Sequence, residues 1–139
     1  MAREPESALA VATRALARRD FSERGLRERL RRAGVDPAEA EDALGSLLRA
    51  GLVNDGRFAL SRARSLAERG KGDAAIRYDL EQQGLAADEI EAALASLEPE
   101  RERAKRVIER RGGGPATARL LAGRGFADEA VEAAIAPEV

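Results

Sequence analysis

The side chains that could do chemistry in this chain are arginines and carboxylates, because the sequence contains neither histidine nor cysteine. Histidine is the commonest general base, and histidine and cysteine supply most nitrogen and sulfur metal ligands and nucleophile systems. Carboxylate-only chemistry stays open, but Asp88, Glu89 and Glu91 have the spacing of a solvated helix face. We therefore expect a binding protein and not an enzyme, with no catalytic residue and no metal ligands.

Arginine dominates the basic side chains, since Lys71 and Lys105 are the only lysines among 24 basic residues. Its planar guanidinium suits bidentate contacts with carboxylates and phosphates. The alternative for each arginine is an ordinary solvated side chain. Arg27 and Arg31 are four residues apart, so they would share a helix face and could act together. We predict nine contact residues in all: Arg24, Arg27, Arg31, Arg57, Arg64, Lys71, Arg77, Arg119 and Arg124.

The tripeptide Gly70-Lys71-Gly72 has two interpretations. It resembles part of a phosphate loop, but the full G-x-x-x-x-G-K-[ST] pattern and a preceding strand are absent. As a helix N-terminus with a lysine and free backbone N–H groups, it could hold a phosphate or a partner's carboxylate. Equally, it could be a plain turn between two helices. Its spacing fits both.

A threefold repeat must position these residues. A leucine, three residues, a glycine and an apolar residue occur in that order at 30–35, 80–85 and 121–126. Further landmarks keep fixed distances from this motif, among them a small residue eight positions before the leucine. A period of about 40 to 50 residues signals a modular array. We therefore expect function on a surface that the units share, and not in one pocket.

Each sequence repeat is predicted to form three helices. The abundance of alanine, leucine, arginine and glutamate favours an all-α fold. In the first repeat, Ser22 is a good N-cap and Gly34 suits the left-handed position that follows a helix. Asp36-Pro37 is a strong start signal for the third helix. The predicted repeats cover 8–53, 54–98 and 99–136.

Units of this size are marginal alone and usually depend on their neighbours. Asn54 or Asp55 can cap the first helix of the second repeat, and Phe58 is predicted to lie in its core. The third repeat is expected to be the least stable. Its glycine run at 112–114 forms a flexible joint, and Thr117 stands where the other repeats have an apolar residue.

Charge alternates in phase with the repeat, although the net charge of the chain is only −1. Acidic residues also favour the first turns of helices, so part of this pattern has a purely structural explanation. A net charge near zero does not argue against an anionic partner when the charges are sorted in this way. The net positive segments are 14–32, 56–78 and 101–124, and the net negative ones are 1–13, 33–55, 79–100 and 125–139.

The sequence carries no sign of a membrane or secreted protein. It has no run of 18 apolar residues, so we expect no membrane-spanning helix. Residues 1–7 lack the apolar stretch of a secretory signal, and the absence of cysteine suits the cytosol. We expect a monomeric, cytoplasmic protein.

Three stretches of the chain carry a family resemblance. The first is Gly51-Leu52-Val53-Asn54-Asp55-Gly56-Arg57-Phe58-Ala59, followed by Gly70-Lys71-Gly72 and by Ile76-Arg77, Leu80 and Gly84. The second runs from Arg19 to Leu30, and the third from Arg119 to Phe126. Together they closely resemble the RecX family, bacterial regulators of the RecA recombinase, over about residues 8–135.

The resemblance implies three tandem three-helix units, similar to helix-turn-helix modules, in an elongated curved array. It implies binding to RecA and to the groove of its filament on DNA, with restraint of the recombinase, ATPase and co-protease functions, and it implies no cofactor. Two alternatives remain. The chain could be an autonomous DNA-binding module whose second helices enter DNA grooves, or it could bind DNA directly but only weakly. Alternatively, it could be a generic helical scaffold for protein partners.

Overall fold

A computed structural model describes residues 6–135 of the chain, and throughout that range every regular element is a helix. The all-α prediction is therefore confirmed. The helices are α1 (Ala8–Arg18), α2 (Glu23–Arg32), α3 (Pro37–Arg49), α4 (Asp55–Glu68), α5 (Asp73–Gln82), α6 (Ala87–Ala95), α7 (Glu100–Arg111), α8 (Pro115–Gly123) and α9 (Asp128–Ile135).

The helices form two compact units. The first contains residues 6–58 and 83–85, and the second contains residues 59–82 and 86–135. The division into three sequence repeats stays a prediction. Position 136, which ends the third predicted repeat, lies outside the described residues, as do residues 1–5.

Local capping explains where several helices begin. The Ser22 hydroxyl accepts a hydrogen bond from the N–H of Gly25 at 3.0 Å, as predicted. The Asp36 carboxylate accepts two N–H groups of the first turn of α3, at 3.1 and 3.3 Å, and a proline occupies the first helical position. Asn54 caps α4 by accepting the N–H of Arg57 at 2.9 Å.

The repeated leucine–glycine motif has the same structure each time. The leucine is fully buried, and the glycine adopts a left-handed backbone conformation that ends the helix and that other residues rarely adopt. The buried leucines are Leu30, Leu80 and Leu121. The glycines are Gly34, Gly84 and Gly125, with φ of 79°, 79° and 91°.

Each group of three helices buries a small apolar core. Helices α1 to α3 pack against one another, as do α7 to α9, and α5 packs on α6. Phe58 is buried, as predicted, and Thr117 is buried on α8. The core of the first three helices is Val11, Ala12, Ala15, Phe21, Leu26, Leu30, Ala40, Leu44, Leu47 and Val53. The core of the last three is smaller: Ala104, Val107, Leu121, Phe126 and Val131.

In the first unit, the N-terminus of α2 is held by residues from much later in the chain. The Ser22 hydroxyl donates a hydrogen bond to the carbonyl of Gln83 at 3.0 Å. The Asp55 carboxylate accepts the N–H of Glu23 at 2.7 Å. Asp55 therefore caps α2, while Asn54 caps α4, and the first amide of α2 gains an acceptor.

The second unit repeats this junction at the N-terminus of α5. The N–H of Gly72 donates to the carbonyl of Arg124 at 2.8 Å, and the Glu100 carboxylate accepts the N–H of Asp73 at 2.5 Å. Gly72 holds the repeat position of Ser22, and Glu100, like Asp55, is the first residue of its helix. The contact that joins neighbouring repeats is thus itself repeated.

We predict that Gly72→Ala destabilises the protein by about 1–3 kcal/mol, the usual cost of overpacking. A Cβ at this position would lie 2.4 Å from the backbone carbon of Gly125 and 2.4 Å from the backbone nitrogen of Phe126. The φ of Gly72 is not positive, so the cost comes from this close approach and not from backbone strain. Urea unfolding followed by helical circular dichroism measures the change.

Gly123→Ala is the matched control, because a Cβ there meets no atom within 4 Å and the residue lies at the end of α8. We expect it to be neutral or to stabilise the helix by up to about 1 kcal/mol. Equal effects of the two substitutions would contradict the close approach at Gly72.

Candidate partner-binding surface

Two of the predicted contact residues, Arg27 and Arg77, form equivalent intramolecular ion pairs. Arg27 donates to both carboxylate oxygens of Glu41, at 2.5 and 3.3 Å. Arg77 donates to both oxygens of Glu91, at 3.0 and 3.3 Å. Each pair spans 14 residues and connects the second helix of a repeat to the third. These arginines therefore already hold a carboxylate of their own chain.

The pairs change the acidity of the carboxyl groups. The hydrogen bond from Arg27 lowers the pKa of Glu41 below its ordinary value, and Arg77 does the same to the pKa of Glu91. A lowered pKa means that the ion pair contributes fully above the ordinary pKa of glutamate. The contribution is lost as the pH falls through the lowered value. Both carboxyl groups are exposed, so water and salt screen the pairs.

Two more predicted contact residues also have intramolecular partners. Arg31 forms a bidentate pair with Glu28 on its own helix, with N–O distances of 3.1 and 2.6 Å, while its side chain stays largely exposed. Arg57 donates to the carbonyls of Gly51 and Leu52, at 3.0 and 3.3 Å, where the chain leaves α3. Arg57 therefore satisfies backbone acceptors that follow a helix end.

The other five predicted contact residues form no ion pair with the described part of the chain. Four of them are exposed, and the fifth, on the turn after α8, is half-buried. Their charges are available to a partner without the loss of an internal bond. They are Arg24 in the first unit and Arg64, Lys71, Arg119 and Arg124 in the second.

Three of these five residues gather around Gly70 in the second unit. The Arg124 guanidinium lies over Gly70, since a Cβ there would be 2.9 Å from its Nη1. Lys71 is the next residue along the chain, and Arg64 lines the same cleft as Gly70. We call Arg64, Lys71 and Arg124 the Gly70 cluster. Arg119 lies on α8 and does not line this cleft.

The backbone N–H groups at Gly70-Lys71-Gly72 are already occupied. Gly70 and Lys71 donate to carbonyls at the end of α4, so this segment is a turn between two helices. The amides that begin α5 donate to the carbonyls of Arg124 and Gly125 and to the Glu100 carboxylate. The acceptor at this helix N-terminus is therefore a carboxylate of the chain itself.

The cleft beside the Gly70 cluster has a volume of about 560 Å³. Its walls come from α4, Gly70, the segment between α6 and α7, α7 itself and Phe126. They combine arginines and glutamates with a few apolar side chains. Such a mixed surface suits a partner that presents both acidic and basic groups. The charged lining residues are Arg64, Glu68, Glu98, Arg103, Arg106, Glu109 and Arg110.

The sequence interpretation missed Arg103, the most buried arginine between residues 6 and 135, whose side chain is only 9% exposed. It donates to the carbonyls of Glu98 and Lys71, both at 2.9 Å, and pairs with the Asp73 carboxylate. Its guanidinium also lies 5.8 Å from the centre of the Phe126 ring. Arg103 thus connects α7 to the start of α5 beside the Glu100 contact.

A second structural arginine, Arg62, was missed as well. It forms a bidentate pair with Asp79 at 2.9 Å for both bonds, and this pair joins α4 to α5. A signal was present in the repeat. Arg62 and Arg103 each stand four positions before an apolar landmark, where the first repeat has the buried Ala12. An arginine at a position that is apolar elsewhere indicates a buried and partnered guanidinium.

We expect Arg27→Gln to raise the pKa of Glu41 toward its ordinary value, because the charged hydrogen-bond donor that stabilises the carboxylate is removed. Carbon-detected NMR titration of the glutamate carboxyls measures the shift. Arg77→Gln is the matched control, since it should move Glu91 and leave Glu41 unchanged. A Glu41 pKa that is the same with and without Arg27 would contradict the pair.

Arg103→Ala should destabilise the protein by about 2–4 kcal/mol, because it leaves a carboxylate and two carbonyl oxygens without their donor. Thermal and urea unfolding measure the loss. Arg101→Ala on the same helix removes an exposed pair with an N–O distance of 3.4 Å and should change stability by less than about 0.5 kcal/mol. A loss for Arg103→Ala no larger than that of this control would exclude a structural role.

Within residues 6–135, no group of three or more carboxylates is placed to hold a metal ion, and no helix is long and apolar enough to cross a membrane. The surface described above therefore consists of guanidinium, ammonium and carboxylate groups on helices and helix ends. Such groups recognise charged partners by ion pairing and hydrogen bonding.

Curated relatives match nearly the whole chain. "Regulatory protein RecX" of Halorhodospira halophila is 38% identical over 136 residues, which cover 91% of this chain and 84% of the relative. "Regulatory protein RecX" of Acidithiobacillus ferrooxidans is 34% identical and covers 94% of this chain and 90% of the relative. The first three-helix domain of RecX matches residues 8–47, and the second matches residues 54–94.

Solved structures share the fold. A crystal structure of regulatory protein RecX superposes with a TM-score of 0.76 at 23% identity, over 90% of this chain and 69% of that one. The crystal structure of RecX from Lactobacillus salivarius gives a TM-score of 0.78 at 18% identity and covers 92% of each chain. With two matched domains and relatives aligned over most of their length, the chain belongs to the RecX family of regulatory proteins.

Proposed function

We propose that this chain binds the RecA recombinase, and in particular its filament on DNA, and restrains the recombinase, ATPase and co-protease activities. Membership of a family of regulatory proteins supports a regulatory role. The resemblance described under Sequence analysis supplies the recombinase as the partner. The proposed activity is inhibition by binding, so it requires no catalytic residue.

The Gly70 cluster is the observation that carries the proposal. Its three charges have no ion-pair partner within residues 6–135. Arg64 lines a cleft with a mixed charged lining, and Lys71 and Arg124 lie next to Gly70, which lines the same cleft. A partner that presents carboxylates can therefore bind Arg64, Lys71 and Arg124 without breaking an internal pair. Arg24 and Arg119 meet the same condition elsewhere on the surface.

The remaining predicted contacts are less favourable. Arg27, Arg31 and Arg77 would each have to exchange an internal carboxylate for one on the partner. Such an exchange gains little, because one ion pair replaces another. Arg57 would have to leave two backbone carbonyls. We therefore place these four residues second to the five without internal ion pairs.

The same pairs weigh against an autonomous DNA-binding module. In a helix-turn-helix protein, the second helix enters the major groove and presents its side chains to the bases. Here Arg27 and Arg31 on α2 are held by Glu41 and Glu28, and those carboxylates would repel DNA phosphates. A generic scaffold role remains the other alternative, and it predicts no effect of charge reversal on recombinase binding.

We expect the protein to suppress DNA-dependent ATP hydrolysis by a RecA recombinase at substoichiometric amounts. The double variant Arg64→Glu, Lys71→Glu should need at least about tenfold more protein for half-suppression, which corresponds to roughly 1.4 kcal/mol of binding. A coupled ATPase assay on single-stranded DNA gives both values.

Arg49→Glu, Arg111→Glu is the matched control, because both arginines are exposed, lie outside the predicted contact set and change the charge equally. It should suppress like the parent chain. No suppression by the parent chain at equimolar protein and low salt would refute the proposed function. Equal weakening by the two double variants would refute the Gly70 cluster as the contact.

A further inference from the structure

A second basic surface lies in the first unit and contains none of the nine predicted contact residues. It is a cleft of about 290 Å³ at the end of α1, beside α2. Among residues 6–135, six line this cleft; four of them are arginines and none is acidic. The lining residues are Arg14, Ala15, Arg18, Arg19, Phe21 and Arg29, and we call this site the arginine cleft.

Most of the charge in the arginine cleft is not neutralised by the protein. Arg14 pairs with Glu6, which does not line the cleft, at N–O distances of 2.5 and 3.0 Å. Arg18, Arg19 and Arg29 form no ion pair with any residue between 6 and 135, and all three are exposed. Three uncompensated guanidinium groups therefore face the same small space.

The cleft is partly preorganised. The Arg19 guanidinium carbon lies 4.0 Å from the centre of the Phe21 ring, and that ring is buried in the core. Stacking on a fixed ring holds the plane of the guanidinium and reduces the side-chain entropy that binding would remove. At least one side of the cleft is thus set before a ligand arrives.

The electrostatic potential in the arginine cleft is set by the full charges of its side chains and not by the partial charges at the helix ends. The C-termini of α1 and α2 each carry about half a negative charge. Together they cancel about one of the four arginine charges, and Glu6 cancels another. Asp20, which lies between the lining residues Arg19 and Phe21 in the chain, reduces the total further. A net charge of about +1 remains, which favours an anion inside the cleft.

The lining favours a phosphate-bearing polymer over an acidic peptide. Protein interfaces draw most of their binding energy from apolar and aromatic anchors. The apolar lining residues in the described part of the chain, Ala15 and Phe21, are 6% and 8% exposed and offer almost no surface to such an anchor. Guanidinium groups, in contrast, match phosphate oxygens in bidentate geometry. The phosphate groups of a nucleic-acid backbone can bind through these guanidinium contacts alone, without an apolar anchor.

We propose that the arginine cleft is a binding site for the phosphodiester backbone of nucleic acid. Two cations, Arg18 and Arg29, contact phosphates directly, and Arg19 forms the stacked wall. The site goes beyond the proposed recombinase binding, because it uses other residues and requires no protein partner. Its binding is independent of base sequence, since contacts to phosphate oxygens carry no sequence information.

The test measures binding of a fluorescent oligothymidylate to the full chain by anisotropy, without recombinase, at several salt concentrations. The measured quantity is the slope of the logarithm of the binding constant against the logarithm of the salt concentration. In the double variant Arg18→Ala, Arg29→Ala, this slope should fall in magnitude by about 1.4, at roughly 0.7 per phosphate contact. With an unchanged intercept at 1 M salt, this equals about 25-fold weaker binding at 0.1 M.

Two further variants make the test specific. Arg18→Lys, Arg29→Lys keeps both charges and should restore the slope of the parent chain, which a loss of folding would not do. Arg49→Ala, Arg111→Ala removes the same charge outside the cleft and should leave the slope unchanged. Neither pair contributes a buried side chain, so helical circular dichroism should be the same for all variants.

Four outcomes would overturn the proposal. One is the absence of binding to both single-stranded and double-stranded DNA, and another is an equal loss in the Arg49→Ala, Arg111→Ala control. The third is polyglutamate binding as tightly as the oligonucleotide, which would indicate an acidic protein partner. The fourth is inorganic phosphate binding with no preference for the polymer. Recombinase suppression is scored separately, so either proposal can fail alone.

Discussion

The backbone amides at the N-termini of α2 and α5 need acceptors, and residues of the following repeat supply them. Asp55 accepts the first amide of α2, and Glu100 accepts the first amide of α5. A buried amide without an acceptor costs about 1–3 kcal/mol, a large share of the stability of a three-helix unit. In the first two repeats, the second helix is therefore held in place in part by a carboxylate and a turn of the next repeat.

The close approach at these junctions explains the small residues there. Gly72 leaves room for the turn around Gly125, whose backbone would otherwise meet a Cβ at 2.4 Å. Arg103 then occupies the edge of the same junction and satisfies the carbonyl of Lys71 and the carboxylate of Asp73. The second junction thus combines backbone, carboxylate and guanidinium contacts.

Internal pairing decides which cations are available for binding. Counted along the chain, the three basic segments look equivalent. In the folded protein, Arg27, Arg62, Arg77 and Arg103 are held by carboxylates of their own unit. Two groups of cations without internal carboxylates stand out, the Gly70 cluster in the second unit and most of the arginine cleft in the first. Binding capacity therefore follows from unpaired charge and not from arginine content.

Local patterns in the sequence were sufficient to predict the helices and much of the core. Burial at Leu30, Leu80 and Leu121 follows from the repeat spacing, and the caps at Ser22 and Asp36 follow from side chains that reach amides two or three residues away. The tertiary structure alone decided the partners of Asp55 and Glu100, which lie 32 and 27 residues from the amides they accept, and the convergence of four arginines on one cleft. The physical reason is range: periodicity encodes which face is buried and which end is capped, whereas a charged group finds its partner only after the helices have packed.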